Sequence, residues 1–425
     1  MTYFACVRYL YSLGGELRAG VKFDLERIRT LLAALGNPER SQRFVHVAGT
    51  NGKGSTCAMI ANALKEAGYR TGLYTSPHLV EPTERIQING HPISRREFTS
   101  AFEAVHRRAE ELMECGRLDA HPSFFETITA MAFLVLADSC DITVLEVGLG
   151  GRLDATNVVT PDVCVITPIA YDHEAFLGNT IEAIAGEKAG ILKPGVPTIV
   201  SPQSPAAQYI ILERARELGC PLVCAASAPV SQVAMTPERS NFSIDGVPFE
   251  CGLPGRHQVD NAVTAILACH ELRIPIVATQ TGVRDVEWPG RLELVSQEPD
   301  FLLDGAHNPA GAAALAAYIR EFCRNRPVWI VYGAMRDKAV EEVTSQLFPL
   351  ADCVILSAAQ TPRSLRPEAI LEISPHPNTT ITHSVSAAID IALKAPDNAV
   401  VFFTGSLFLV GEARGLLVGH PHFVK

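Results

Sequence analysis

An apolar run, Phe44-Val-His-Val-Ala48, passes directly into Gly49-Thr-Asn-Gly-Lys-Gly-Ser55, and this junction restricts the possible folds more than any other segment. The run reads as a buried strand, and residues 56–67 after it carry apolar side chains at helical spacing. Strand, glycine loop and helix in that order make a phosphate cradle. The glycines let successive backbone N–H groups converge on an anion, Lys53 adds a point charge, and the helix presents its positive end. The general pattern asks for Gly, four residues, Gly-Lys and then Ser or Thr. Here Val47 stands at the first glycine position, Gly54 follows the lysine, and the hydroxyls come at Ser55 and Thr56. The same segment could be a plain turn between strand and helix, and its flanking strand and helix favour the nucleotide.

Short apolar runs continue to alternate with helical patterns as far as about residue 225, at 71–75, 142–147, 163–169 and 197–201, with a helical stretch at 124–138. That alternation predicts parallel strands joined by crossover helices. Residues 229–254 differ: a hairpin signal at Asp245-Gly246 predicts a small antiparallel addition, and a helix is expected over 258–272. Pro289 and Gly290 then break the periodicity, which places a domain boundary between residues 285 and 300. A second, smaller α/β series follows, with strands expected at 301–304, 328–332, 353–357, 380–382 and 399–404. Its first turn, Asp304-Gly-Ala-His-Asn-Pro309, lacks the three-glycine dinucleotide fingerprint. Two domains also suit a chain of 425 residues, too long for one core.

A formal charge of −10 with scattered basic residues leaves no footprint for nucleic acid and favours a small-molecule partner. No apolar stretch approaches the ~20 residues needed to cross a bilayer, and the first residues carry no secretory pattern. Eleven cysteines, none spaced as Cys-x-x-Cys, with Cys57, Cys164 and Cys269 inside apolar runs, read as reduced core thiols in a cytosolic protein.

Three further positions carry chemistry. Glu146 ends an apolar strand, where a carboxylate can hold Mg²⁺ or cap a nearby turn. His173 follows another strand and reads as a metal ligand, a proton carrier or a simple hydrogen-bonding residue. Lys188, on a helix, is ordinarily a residue of a solvated face.

Taken in order, His46-Val-Ala-Gly-Thr-Asn-Gly-Lys-Gly-Ser-Thr56, Tyr74-Thr-Ser-Pro-His-Leu79, Glu84-Arg-Ile86, Leu145-Glu-Val-Gly-Leu-Gly-Gly-Arg-Leu-Asp-Ala-Thr-Asn157, Glu187-Lys-Ala-Gly-Ile191, Trp288-Pro-Gly-Arg-Leu-Glu293, Leu303-Asp-Gly-Ala-His-Asn-Pro309 and Thr404-Gly-Ser-Leu-Phe-Leu-Val-Gly-Glu412 resemble the folylpolyglutamate synthase and bifunctional dihydrofolate synthase family. That family belongs with the Mur-type amide ligases, whose loop has the same short Gly-Thr-Asn-Gly-Lys form. The resemblance implies an N-terminal P-loop ATPase domain that also holds the pterin substrate, residues 1–290, and a smaller C-terminal Rossmann-like glutamate-ligase domain, residues 291–425. It implies an ATP-dependent ligase joining L-glutamate to a folate, or to dihydropteroate, through an acyl phosphate.

By the same resemblance Gly52, Lys53, Gly54 and Ser55 cradle the ATP phosphates, and Asn261, Arg291 and Asp304 contact the nucleotide. Ser76 and Glu146 hold one Mg²⁺ and His173 a second, while Lys188 matches a lysine that the family carbamylates, which makes it an anion able to ligate or orient at the metal site. Lys53, Lys188, His173 and His307 are the catalytic candidates. Phe124, Phe125 and Glu126, with Asp154, Ala155, Thr156 and Ser406, match substrate positions, although both phenylalanines open an apolar helix and equally fit a core. The segment Lys22-Phe-Asp-Leu-Glu-Arg27 resembles the substrate loop, with Asp24 in place of a common glycine. A monomer is the family's usual state. Two other readings stand beside this one: a Mur-type ligase for another acceptor, and an ATP-binding regulator without catalysis.

Overall fold

The computed structural model describes residues 1–14 and 24–418, so Lys22 and Phe23 of the substrate-loop segment lie outside it. The chain forms two compact units. The first comprises Met1–Ile169, Ala175–Ala228 and Asp260–Asp285, and the second Ala170–Glu174, Pro229–Val259 and the chain from Val286 onward.

The first unit is built on β1 (Arg43–Ala48), β2 (Thr71–Tyr74), β3 (Ile86–Ile88), β4 (His91–Pro92), β5 (Ile142–Glu146), β6 (Val163–Ile166), β7 (Thr198–Val200) and β8 (Leu222–Cys224). Their order in the sheet is β4-β3-β2-β5-β1-β6-β7-β8, parallel from β2 to β8 and antiparallel at the β3–β4 edge. All of β5 and β6, and every residue of β1 after Arg43, are buried. Parallel strands covered on both faces show such continuous apolar runs, which is why these strands were legible as runs and not as alternations. β6 stops at Ile166, short of the expected 169, where Pro168 brings no N–H to continue the ladder.

The helices here are α1 (Tyr3–Ser12), α2 (Glu26–Ala34), α3 (Lys53–Glu66), α4 (Arg95–Glu114), α5 (Phe124–Ser139), the single turn α6 (Glu174–Leu177), α7 (Ile181–Ala189), α8 (Pro205–Glu217), α9 (Arg256–Glu271) and α10 (Ile276–Arg284). Ser94 with Glu97 and Ser123 with Glu126 form capping boxes that start α4 and α5. One core gathers α1, α2, α4 and α5 around Phe98, Phe102, Phe124 and Phe133; another gathers α7 and α8 around Ile166, Ile184 and Ile211. α3 and α10 touch backbone to backbone, since a Cβ on Gly282 would stand 2.4 Å from Ala63 Cα.

In the second unit β9 (Val230–Met235), β10 (Ser240–Ile244) and β11 (Val247–Cys251) form the expected antiparallel addition. Its hairpin turns at Asp245 and Gly246, both at positive φ (48° and 76°), the backbone that Asp-Gly favours. The other sheet holds β12 (Glu293–Ser296), β13 (Asp300–Leu303), β14 (Val328–Tyr332), β15 (Cys353–Leu356), β16 (Thr379–Ile381) and β17 (Val400–Thr404), in the order β12-β13-β17-β14-β15-β16. Only β12 runs antiparallel, an edge strand the periodicity did not reveal. Helices α11 (Pro309–Phe322), α12 (Val340–Leu347), α13 (Pro367–Ile373), α14 (Val385–Ala392) and α15 (Leu407–Leu417) complete it. All eleven cysteines are free thiols, and Cys57, Cys164 and Cys269 are buried as expected. Among the described residues no helix is long and apolar enough to cross a membrane.

Candidate active site

In the first unit the register pairs Tyr74 with Leu145, Glu146 with Val47 and Ala48 with Ile166, so the C-terminal ends of β2, β5, β1 and β6 lie side by side. Ligands of open α/β sheets bind outside these ends. The loop after β1 has a backbone that only glycine tolerates. Gly49 is at φ 151°, where a Cβ would fall 1.8 Å from Thr167 Oγ1, and Gly52 is at φ 82°, where it would fall 2.2 Å from Asn261 Oδ1. Gly52 is the N-cap of α3 and offers no side chain to its first amides. Those amides therefore start the helix as anion donors, with Gly54 and Ser55 in the first turn. Lys53 Nζ donates to Thr50 O at 3.1 Å, which lays its charge back over the loop. Asn261, 209 residues after Gly52 in the chain, reaches the loop from α9.

Two more predicted residues meet this edge. Glu146, 4% exposed, accepts the Ser76 backbone N–H at 3.0 Å, so the acid at the end of β5 and the hydroxyl residue after β2 are neighbours. Lys188 overturns the expectation of a solvated face. It is 5% exposed, and its Nζ donates to Gly49 O at 2.8 Å. The preceding residue accounts for this orientation: Glu187 is drawn outward by Arg152, with Nη2 at 2.7 Å and the Arg152 N–H on Glu187 O at 2.8 Å. Gly151 sits so close to this helix end that a Cβ would lie 2.7 Å from Glu187 O.

The acceptor-side residues divide. Asp154 is buried and accepts from the Gly148, Leu149 and Thr156 amides and from the Thr156 hydroxyl, which folds the Gly148–Thr156 turn onto itself. Burial pushes its carboxyl up despite those bonds. Ala155 is buried in the same core as α5, and Thr156 Oγ1 bonds His46 Nε2 at 2.8 Å. Burial, and then the charge of Lys193, push the His46 imidazole down to about 3. Phe124 is a core residue, 1% exposed, with Tyr11 stacked on it at 5.4 Å and the Arg85 guanidinium over its ring. Phe125 is only half-buried and lies on Gly148, where a Cβ would meet its ring at 2.4 Å. Glu126 accepts from Ser123 N–H and from Arg27 Nε at 2.9 Å.

In the second unit the predicted residues collect after β13. Asp304 is buried and accepts the Leu292 and Ala306 N–H groups, each at 3.0 Å. Burial raises its carboxyl, opposed by Arg291. The Arg291 guanidinium lies on Gly305, where a Cβ would stand 2.2 Å from Nη1, and donates to Gly290 O. His307 Nδ1 donates to Gly305 O at 2.7 Å, which leaves Nε2 3.5 Å from Asp172 Oδ2. His173 sits at φ 54° with its N–H on Asp172 Oδ1. Ser406 caps α15 by accepting the Phe408 N–H.

Two residues missing from the sequence reading organise this group. Asp172 bonds Lys338 Nζ at 2.6 Å and Asn308 Nδ2 at 3.2 Å, and also faces both histidines. Burial alone would raise its carboxyl, but His307, His173 and Lys338 outweigh burial and hold it far below the usual carboxylate range. Asp172 could have been found as an acid beside His173 just past a strand. Lys338, 166 residues away, gives only the weaker signal of a lysine in the turn after β14.

Comparison with known proteins agrees with this geometry. The Mur ligase middle domain matches residues 47–269, and the Mur ligase glutamate ligase domain matches residues 290–407. The chain is 38% identical to the dihydrofolate synthase/folylpolyglutamate synthase of Bacillus subtilis (strain 168), over 94% of this chain and 96% of that protein. It is 34% identical to the folylpolyglutamate synthase of Lacticaseibacillus casei, over 99% of both. The crystal structure of Mycobacterium tuberculosis folylpolyglutamate synthase complexed with ADP and AMPPCP superposes with a TM-score of 0.89 at 31% identity, covering 98% of this chain and 99% of the other.

Proposed function

The chain belongs to the folylpolyglutamate synthase family of Mur-type ATP-dependent ligases, and on that footing we propose which residues join L-glutamate to a folate, or to dihydropteroate. A carboxylate is a poor electrophile at neutral pH. Its oxygen therefore attacks the γ-phosphorus of ATP and ADP leaves, giving an acyl phosphate. The glutamate amine then attacks the acyl carbon, loses a proton, and phosphate departs with the former carboxylate oxygen. Fixed donors stabilise charge on phosphoryl oxygens in the first step and on the carbonyl oxygen in the second.

Gly52, Lys53, Gly54 and Ser55 cradle the phosphates, and Asn261, Arg291 and Asp304 contact the nucleotide. The observation that carries the reading is the convergence of this loop, the Ser76–Glu146 pair and the buried Lys188 at one sheet edge. Carboxylate and hydroxyl oxygens are the hard donors that magnesium takes, so Glu146 and Ser76 suit a Mg²⁺ that neutralises phosphate charge, and His173 is the protein ligand of a second ion. Lys188 is carbamylated: the ammonium loses a proton, the neutral Nζ adds to CO₂, and the adduct loses a second proton, so that a cation becomes an anion. Its bond to Gly49 O is compatible with this, because a carbamate nitrogen keeps one N–H to donate. His307 serves as a second-unit catalytic residue. Phe125 offers the ring face for the pterin while Phe124 supports it from the core; Glu126 and the Asp154–Thr156 turn shape that side, and Ser406 contributes to the glutamate side. Residues 1–290 act as the ATP and pterin domain and 291–425 as the glutamate-ligase domain. The protein works as a monomer, with neither nucleic acid nor membrane as a partner.

The test is ADP release by the purified chain with Mg²⁺-ATP and L-glutamate, with dihydropteroate, tetrahydrofolate or no acceptor. Release with both acceptors, each product heavier by one glutamate, is the expected result. Acceptor-independent hydrolysis, or none, overturns the reading. Intact-protein mass under CO₂, with and without Lys188→Met, tests the carbamate.

A further inference from the structure

Away from the phosphate loop, α4 and the segment before α5 bring together two histidines and a carboxylate that the ligase chemistry does not use. Among the described residues, His106, Glu110 and His121 are the one group of three or more such side chains close enough to share a metal ion, with ligand atoms within 4.8 Å of one another. His106 and Glu110 are four residues apart on α4, hence on one face of the helix. His121 comes from the segment that leads into α5.

The individual nitrogens make the case. His121 Nδ1 lies 2.9 Å from Pro122 O. A carbonyl only accepts, so Nδ1 carries the proton and Nε2 bears the lone pair. That Nε2 is buried without a hydrogen-bond partner and lies 3.6 Å from Glu110 Oε1. His106 Nδ1 is likewise buried without a partner, 3.7 Å from the same oxygen. Two orphaned imidazole nitrogens aimed at one carboxylate are unusual, because buried polar atoms nearly always find a donor or acceptor.

The distances suit a first-row divalent ion. Ligands held about 2.0–2.1 Å from a tetrahedral centre stand about 3.4 Å apart. The observed 3.6 and 3.7 Å need only a small contraction. The His121 Nδ1–carbonyl bond is the outer contact that a metal-bound histidine characteristically makes. Tyr9 adds another: its hydroxyl is 3.5 Å from Glu110 Oε1, and its ring is edge-on to both imidazoles.

We propose that His106 Nδ1, Glu110 and His121 Nε2 form a binding site for a zinc-class divalent cation, with water as fourth ligand, separate from the magnesium used with ATP. Two nitrogens and one carboxylate select borderline metals over magnesium, which prefers oxygen. His121 lies two residues before Ser123, the N-cap of α5. A bound ion therefore ties the start of α5, and the Phe124–Glu126 turn on it, to α4.

Chelator-stripped full-length protein is titrated with Co²⁺ and with Zn²⁺ in excess Mg²⁺, in parallel with His106→Gln and Glu110→Gln variants whose folding is checked by retained ADP binding. The expected result is one Co²⁺ equivalent with the visible bands of four-coordinate nitrogen–oxygen ligation and no thiolate charge-transfer band. Loss of an outer contact alone weakens binding by about 10–100-fold, so each substitution of a ligand weakens it by at least about 100-fold. No equivalent bound, binding as tight as the parent's in either variant, or a thiolate band that assigns the ion to cysteine overturns the proposal.

Discussion

Gly52→Ala isolates what the phosphate loop requires. At φ 82° an alanine carries a backbone penalty of about 1–2 kcal/mol. Its Cβ would also fall 2.2 Å from Asn261 Oδ1 and 2.9 Å from Cγ, where ordinary contact begins at 3.4 Å, so the Asn261 side chain must swing off the loop or the loop must shift by about 1 Å. The first amides of α3 move with the loop, and a misplacement of about 1 Å in a positioned constellation costs about 100-fold, or about 2.7 kcal/mol. Gly36→Ala is the control, because Gly36 has nearly the same backbone, φ 90°, and nothing within 4 Å of the added carbon. Both variants should lose similar backbone stability in urea unfolding. ATP affinity by calorimetry, with turnover beside it, should fall about 100-fold in Gly52→Ala and less than about twofold in Gly36→Ala. Gly52→Ala binding ATP within about threefold of the parent would refute the steric argument, and equal losses in both variants would mean that global stability governs binding.

Asp172→Asn should cost about 3–5 kcal/mol in urea unfolding, because Lys338, its side chain 10% exposed, would be left without its counter-ion. A double-mutant cycle with Lys338→Met checks it, and coupling below about 0.5 kcal/mol would show that the pair is solvated in solution. The buried His46 gives a pH dependence: its pKa is about 3 in the fold against about 6.5 unfolded, so the unfolded chain binds the extra proton between those values. The stability from a neutral His46 is complete above about pH 6.5 and declines as pH falls below it. His46→Gln should flatten the fall in urea midpoint between pH 7 and pH 4.5, and an unchanged slope would mean that His46 does not titrate on unfolding.

What the sequence determined by itself was local. The run into Gly49, the apolar strands at 142–146 and 328–332, and the Asp245-Gly246 turn each depend on conformations chosen within about ten residues, so composition and spacing suffice to read them. Their order along the chain also bounded the fold class, since alternating strands and helices have few ways to bury both faces of a sheet. Edge strands such as β12 were lost because an edge needs no distinctive pattern. The site was legible only as separate segments, and its assembly belongs to tertiary structure. Lys188 looks like a surface residue until Arg152 draws Glu187 outward and α7 turns the amine beneath Gly49. Phe124 and Phe125 are indistinguishable in sequence, yet the roughly 100° between successive helical positions puts one in the core and the other on Gly148. Asp172 meets Lys338, and His106 meets His121, because strand order and helix packing set distances that sequence separation does not encode. Burial, which decides whether such a group is a solvated charge or a directed ligand, comes into being only when the elements pack.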